Sequence, residues 1–343
     1  MGRLVSSARV MDSSFDRDGS LVIEDLVREG RFQEALGYYF ALPEGSRSAP
    51  MAQYGAASAA ARLGQYAPAT LLAQCAEAGF QRNGTMRDHV RMSNLLGALA
   101  LEQGDLVTAE ARFRDIIAKR DHLVEERLIV AHALINLASI MDMRAHSDAA
   151  LRMYHEALHV YQEYADARGI AQSYHNINIV FRKLGMLEAA ESVARMSIRH
   201  AEQDGDPSLL ALCLTGQAET RLERGDVEGA SQCLVRAQAQ LNNNGDQVIQ
   251  AEMGRLLAQV HFRKGRVQEG LVEAEISRSI ANRSGCALVA AECAAVAAIG
   301  FVLDGKPVES EHRKEEARQR FQDLDTPWLQ EHYSRAWAEA CNA

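Results

Sequence analysis

The chain has 343 residues, of which 47% are apolar and 6% are aromatic, and only 6 are prolines. This apolar content is enough for a large hydrophobic core, which argues against intrinsic disorder. So few aromatic residues and prolines argue against an all-β sandwich. With 37 basic and 46 acidic residues, the net charge of −9 offers no basic field for a polyanion. We expect a helical protein with no nucleic-acid partner.

The N-terminal segment and the cysteines bear on location. Residues 1–17 show no clear periodicity and contain Ser, Asp and Gly, so we expect a flexible leader. The sequence has no apolar run of about 18 residues and no hydrophobic stretch of signal-peptide length, which predicts no membrane segment and a cytoplasmic location. The 6 cysteines form no C-x-x-C pair and no zinc-ligand spacing, so we expect reduced thiols.

One local pattern recurs over residues 18–323, with a small turn residue between two stretches of apolar residues at helical spacing. The turn residues, here called anchors, are Gly30, Gly64, Gly104, Ala145, Gly185, Gly225, Gly265 and Gly305. The intervals between them are 34, 40, 41 and then four times 40. They define eight repeats, which start near residues 16, 50, 90, 131, 171, 211, 251 and 291. Each repeat is predicted to be a helical hairpin.

Two columns of mostly small residues accompany the anchors. Five places after the anchors stand Ala35, Ala69, Ala109, Ala150, Ala190, Ala230, Gly270 and Ser310. Seven places before the anchors stand Ile23, Ala57, Gly97, Ala138, Asn178, Ala218, Ala258 and Ala298. Small side chains at matching heights in two helices allow the helices to approach closely. The columns therefore predict tight packing within each hairpin.

With these features the chain resembles the tetratricopeptide repeat (TPR) family. Asn136-Leu137-Ala138 before Ala145, and Phe32 and Ala35 after Gly30, match its pattern of small residues, turn and apolar residue. Its usual period is 34 residues, so the period of 40 implies longer helices. The resemblance implies an all-α, right-handed superhelical solenoid of about eight antiparallel hairpins with a concave face.

Residues 324–343 follow the last repeat. Thr326-Pro327 is a suitable helix start, and the segment carries Trp328, Tyr333 and Trp337. The apolar ends of a repeat array need a cap with a polar outer face. We therefore expect a C-terminal capping helix that faces solvent.

In the TPR family, the first helices of the hairpins line the concave groove and bind peptides. Asn136 and Asn176 stand nine places before their anchors, and Asn94 lies one place out of this line. Amide side chains both donate and accept hydrogen bonds, so the resemblance implies that they hold a peptide backbone. Further candidates on this face are Arg91, His132, Gln172, His175, Lys183, Glu219, Glu223 and Glu252. These charges predict a basic centre followed by an acidic section; the alternative is an ordinary solvated helix face.

The segment from His155 to His159 reads H-E-A-L-H. Two histidines four residues apart on a helix can share a zinc ion, and Glu156 would activate water in a metallopeptidase. The repeat register instead places this segment in the second helix of the fourth hairpin, and no third ligand motif follows. We therefore predict no catalytic residues, and His155 and His159 stay weak metal candidates.

The sequence as a whole favours a non-enzymatic interaction scaffold or adaptor, without a cofactor, that binds a peptide segment of a partner protein in its concave groove. One alternative is a regulatory sensor of the same fold, in which a peptide or metabolite changes the superhelical pitch. The zinc metallopeptidase is the other. Self-association stays open, because exposed end repeats can pair, and we expect no membrane partner.

Overall fold

The structure is a computed structural model that describes residues 19–241 and 246–342. The described residues form eighteen α-helices and no strand. The helices are α1 (Gly19–Arg28), α2 (Phe32–Ala41), α3 (Glu44–Arg47), α4 (Pro50–Arg62), α5 (Tyr66–Asn83), α6 (Met86–Glu102), α7 (Leu106–Ala118), α8 (Arg127–Met143), α9 (Ser147–Glu163), α10 (Ala167–Lys183), α11 (Leu187–Asp204), α12 (Pro207–Glu223), α13 (Val227–Gln240), α14 (Gln247–Arg263), α15 (Val267–Ser284), α16 (Ala287–Leu303), α17 (Pro307–Asp323) and α18 (Pro327–Cys341). The flexible leader predicted at residues 1–17 lies outside the described residues.

The helices pair as the repeat predicts. Consecutive helices form antiparallel hairpins, each joined at an anchor, from α1 and α2 to α16 and α17. The short α3 is an extra element that the sequence pattern did not indicate, and two 3-10 helices, Arg120–His122 and Val124–Glu126, lie between α7 and α8. The predicted fold class, an all-α solenoid of TPR-like hairpins, is confirmed.

The turn residues explain the regular pairing. All seven anchor glycines have a positive φ, between 69° and 86°, and Ala145 has a φ of 63°. Glycine adopts this left-handed conformation without a Cβ clash, whereas alanine adopts it at a cost. A left-handed residue ends the first helix of each repeat and turns the chain into the second.

The two columns of small residues lie where the helices of each hairpin touch. Every residue of both columns is buried. At Gly97 and Gly270, an added Cβ would lie 2.8 Å from the Phe113 ring and 2.4 Å from the Phe262 ring. Because the aromatic rings fill this space, a larger residue at either glycine would push the two helices apart.

The chain divides into two compact lobes, with the boundary inside α6. The N-terminal lobe extends to Met92, and its core includes Ile23, Tyr39 and Ala56. The C-terminal lobe begins at Ser93. Here the first helix of each hairpin, from α8 to α16, also packs against the first helix of the next hairpin. These first helices therefore form a continuous inner wall.

The helix predicted at the C-terminus is present as α18; Tyr333 is its buried residue and its outer face is exposed, while its role as a cap stays a prediction. α18 packs against α16 and α17 and also reaches α8. Tyr333 of α18 is buried and its ring stacks on Phe321, with the ring centroids 5.8 Å apart. Trp337 donates from Nε1 to Oγ of Ser310 at 2.8 Å. The aromatic residues lie on the side of α18 that packs on the repeats, and this side adds Trp328 and Tyr333 to the inner wall.

Candidate functional site

The inner wall of the C-terminal lobe lines a partly open cavity of about 180 Å³ that contains several charged side chains. Side chains of α8, α10, α12, α14, α16 and α18 line it. Apart from Leu288, the lining residues of α8, α10, α12, α14 and α16 stand 13, 10, 9, 6, 3 or 2 places before an anchor, which is one face of a helix. The repeat therefore directs one stripe of each inner helix into the cavity.

Arg182 of α10 forms one charged cluster in this lining. Its guanidinium donates to Glu219 at 2.7 Å and to Glu223 at 2.5 Å, both on α12. Burial alone would raise the pKa of Glu219, but the guanidinium groups of Arg182 and Arg255 lower that pKa to about 2. Glu219 is therefore ionised and held between two arginines. For Glu223, burial prevails and raises its pKa above the usual value.

Arg255 of α14 extends the network toward α18. Its side chain is only 5% exposed, and it donates to Glu219 and to the Tyr333 hydroxyl, each at 3.0 Å. The Tyr333 hydroxyl donates in turn to Glu292 of α16 at 3.2 Å. This chain of hydrogen bonds crosses four inner helices, which fixes the relative positions of those helices around the cavity.

A separate ion pair joins α8 and α10. Lys183 Nζ lies 2.6 Å from Asp142 Oδ2, and both side chains are at most 10% exposed. The ammonium also stands 5.1 Å from the centre of the Trp328 ring of α18, a cation–π distance. Asp142, Lys183 and Trp328 form a partition, because they also line a second cavity of about 280 Å³ on their other side.

Glu252 of α14 has no hydrogen bond or ion pair with any residue that the structure describes. Burial, only partly offset by Arg255, raises the pKa of its carboxyl to about 8. Burial and the nearby Arg182 lower the pKa of His175 to about 4. At neutral pH, Glu252 thus keeps its proton and His175 is uncharged. Both present hydrogen-bonding groups without charge to the cavity.

The sequence-predicted site residues divide into two groups. Those that line the cavity are Asn176, His175, Lys183, Glu219, Glu223 and Glu252. Those outside its lining are Asn136, Asn94, Arg91, His132 and Gln172.

The residues outside the lining have other surroundings. Arg91 lies in the N-terminal lobe, 3.8 Å from Glu24. His132 packs on the Tyr161 ring with a centroid distance of 5.5 Å. Asn94 Oδ1 is buried without a hydrogen-bond partner among the described residues. A shared role of Asn136 and Asn176 stays a prediction.

The predicted change of charge along the groove stays a prediction. Lys183 pairs with Asp142, and Arg182 pairs with Glu219 and Glu223, so the basic side chains are largely neutralised. The charges pair between neighbouring repeats because side chains at equivalent helix positions stand next to each other on the inner wall. Three cationic and five carboxylic side chains therefore share one cavity.

Several cavity residues were not among the predicted ones: Asp142, Arg182, Arg255, Glu292, Trp328, His332 and Tyr333. The first four stand at the same distances before an anchor as other lining residues, so the repeat register would have identified them. Arg255 and His175 both stand ten places before an anchor, and Glu292 and Glu252 both stand thirteen places before one. For the residues of α18, no following anchor exists to set the register.

The H-E-A-L-H segment lies on α9, away from the cavity. His155 and His159 are exposed, and Glu156 lies 3.5 Å from Arg120. Within residues 19–241 and 246–342, no group of three or more His, Cys, Asp or Glu side chains is placed to hold a metal ion. Among the helices described, none combines the length and apolar character that a membrane span requires.

Fold and site together define a TPR-like repeat protein with a partly open cavity that contains charged side chains. A Rap protein complexed with Competence and Sporulation Factor has a TM-score of 0.63 and 14% identity, over 94% of this chain and 96% of that chain. The Rap conjugation gene regulator of plasmid pLS20, in complex with the Phr* peptide, has a TM-score of 0.61 and 16% identity, over 82% and 80%. The apo form of RapI has a TM-score of 0.57 and 11% identity, over 79% and 97%.

These identities show a common fold and nothing finer. No family model matches the sequence, and no curated protein matches it. The arguments about function therefore come from the cavity itself.

Proposed function

We propose that this chain is a non-enzymatic, peptide-binding regulator or adaptor, which takes a peptide segment into the cavity of the C-terminal lobe. The observation that carries the proposal is the unpartnered Glu252 carboxyl in an otherwise paired polar cavity. Glu252 is half-buried, so its unpartnered carboxyl bears part of the desolvation cost of a fully buried polar group. A ligand that supplies the missing hydrogen bond removes that cost, and this contributes to its affinity.

The electrostatics of the cavity favour amide groups over a strongly charged ligand. Each of its three cationic side chains already has a carboxylate partner. A protonated Glu252 both donates and accepts hydrogen bonds, as does the amide of Asn176. Peptide groups offer one donor and one acceptor each, so a backbone segment can satisfy both side chains.

The comparisons support the same ligand class. One of the similar structures contains the Phr* peptide and another contains Competence and Sporulation Factor. We extend this to the present chain as part of the proposal, together with a protein or peptide as its partner and the cytoplasm as its location. The regulatory form of the proposal is favoured over a passive scaffold, because ion pairs and hydrogen bonds between the inner helices line the cavity and a bound ligand would alter them.

The test begins with a displayed random-peptide library selected on the full chain, followed by calorimetric titration of the selected peptide. We expect Asn176→Ala to weaken binding about three- to tenfold, the value of one net hydrogen bond. Asn83→Ala, an exposed asparagine of the N-terminal lobe, is the matched control and should not change the affinity. Unchanged affinity in Asn176→Ala would show that the peptide binds elsewhere.

Asn136→Ala addresses the predicted asparagine pair. If the two amides hold one peptide, Asn136→Ala weakens binding to a similar extent as Asn176→Ala. If only the cavity lining matters, Asn136→Ala behaves like the Asn83→Ala control. Circular dichroism of each variant shows that the helical fold is kept.

A further inference from the structure

The two ends of the C-terminal lobe meet. Leu324, just before α18, lies against Gly104, where an added Cβ would stand 2.8 Å from the Leu324 side chain. Cys286 Sγ at the start of α16 lies 3.9 Å from Glu102 Oε2. The last inner helices thus return to the first hairpin of the same lobe, and the concave side becomes enclosed.

Two further contacts join the start of α18 to α8 and α10, although the Arg144 guanidinium also pairs with Glu110 at 2.5 Å. Arg144 Nε lies 3.2 Å from Asp325 Oδ2, and Lys183 Nζ lies over the Trp328 ring. Asp325 and Trp328 come from the turn before α18 and from its first helical turn. We call these two contacts, with their four residues, the junction.

The junction is weaker than the packing on either side of it. The Asp325 side chain is 68% exposed, and ion pairs at such sites contribute little stability. Farther along α18, Tyr333 is buried against Phe321 and anchors the helix. Leu324 and Thr326 of the turn are also buried, so the side chains of Asp325 and Trp328 can move while the backbone of the turn and the rest of α18 stay in place.

Asp325 is an unusual choice for its position. It has a φ of 49° and stands in the same repeat column as Ala165, Gly205 and Gly285, which all have positive φ. Glycine is the residue that adopts this conformation at least cost. Aspartate at this turn costs more, but its carboxylate pairs with Arg144, which glycine cannot do.

We propose that the junction is the gate of the peptide site. In the closed state the cavity of about 180 Å³ is smaller than ordinary ligand pockets of roughly 300–1,000 Å³. The second cavity of about 280 Å³ lies beyond Asp142, Lys183 and Trp328. Movement of Trp328 away from Lys183 joins the two cavities and makes room for several peptide residues. This inference rests on the proposed function, since it describes entry to the same site.

The test uses Trp328 as its own reporter. The chain has 2 tryptophans, so Trp337→Phe leaves Trp328 as the only one. In this background, Asp325→Gly removes the carboxylate and relaxes the backbone. Ala165→Gly relaxes the backbone at the equivalent turn, at a φ of 52°, without removing an ion pair, and is the matched control. The readouts are acrylamide quenching of Trp328 and amide hydrogen exchange of residues 330–334, where the backbone amides of α18 become hydrogen-bonded.

For Asp325→Gly we expect amide exchange in the first turns of α18 to be about two- to fivefold faster, the effect of one exposed ion pair on an opening equilibrium. Quenching of Trp328 should increase in parallel, while Ala165→Gly leaves both readouts at the background values. If Asp325→Gly matches Ala165→Gly in both readouts, the junction does not hold the turn and the inference is wrong.

The peptide selected on the full chain supplies the second arm. We expect it to bind Asp325→Gly with an association rate about two- to fivefold faster, and to change Trp328 emission when it binds. If the peptide depends on Asn176 but leaves Trp328 emission and the association rate unchanged, the gate is refuted and the proposed function stands. If the peptide does not depend on Asn176, the proposed function fails, while exchange and quenching still report on the junction.

Discussion

Replacing Glu252 by glutamine should stabilise the protein in a way that depends on pH. Its pKa rises from the ordinary 4.5 to about 8 in the folded chain, so the folded state binds this proton more tightly than the unfolded state. The stability that the protonated Glu252 contributes is fully present below about pH 4.5 and is lost as the pH rises through 8. Glutamine has the shape of the protonated acid and no ionisation to lose.

The size of the effect follows from the pKa shift. One pKa unit corresponds to about 1.36 kcal/mol, so the full shift amounts to about 4–5 kcal/mol above pH 8. Because Glu252 is partly exposed to solvent, we discount this value. Above pH 8 we expect the free energy of unfolding of Glu252→Gln to exceed that of the wild type by about 2–3 kcal/mol. Near pH 4.5 the two proteins should be almost equally stable.

Urea unfolding followed by circular dichroism at about pH 5, 7 and 8.5 measures this difference. Glu269→Gln, on the exposed face of α15, is the control and should give a difference that does not vary with pH. A stability difference between Glu252→Gln and wild type that is the same at all three pH values would refute the reasoning, because it would show that Glu252 ionises as freely in the folded chain as in the unfolded one.

Three further substitutions test the packing by the same unfolding assay. Arg255→Met should lower the free energy of unfolding by about 3–5 kcal/mol, because it leaves the Glu219 carboxylate with one arginine fewer. An unchanged free energy of unfolding would mean that Arg182 alone stabilises Glu219. Leu234→Ala, in the core of the C-terminal lobe, should lose about 2–5 kcal/mol, and a smaller loss would indicate collapse around the site. Ala145→Gly should gain about 0.5–1 kcal/mol at a φ of 63°; no gain would mean that the alanine is unstrained.

The hairpins were predictable because the information that defines them is local. A left-handed turn favours glycine, because any other residue adopts this conformation at a cost in free energy. Close helix contact needs a small side chain. Gly185 and Ala190 therefore carry this information in the sequence. Even the exception, Ala145, was found from its register and adopts the same backbone conformation.

The cavity was only partly predictable because its geometry is not local. Asn176 and Glu252 were found from their helix face, whereas the pairing of Arg182 with Glu219 depends on how neighbouring repeats align. The place of Trp328 depends on the rotation accumulated over several repeats, since it meets Lys183 across the lobe. Small rotations between hairpins leave no residue pattern, so the contact of Trp328 with Lys183 was not predicted.

Closure of the C-terminal lobe also changes how this protein should unfold. In an open repeat array each hairpin contacts only its neighbours, so the terminal hairpins fray first and cooperativity is limited. Here Cys286 meets Glu102 across a sequence separation of 184 residues. Such a contact forms only after the intervening hairpins are in place, and its loss releases both ends together. The lobe should therefore unfold as one cooperative block, with little fraying of its end hairpins.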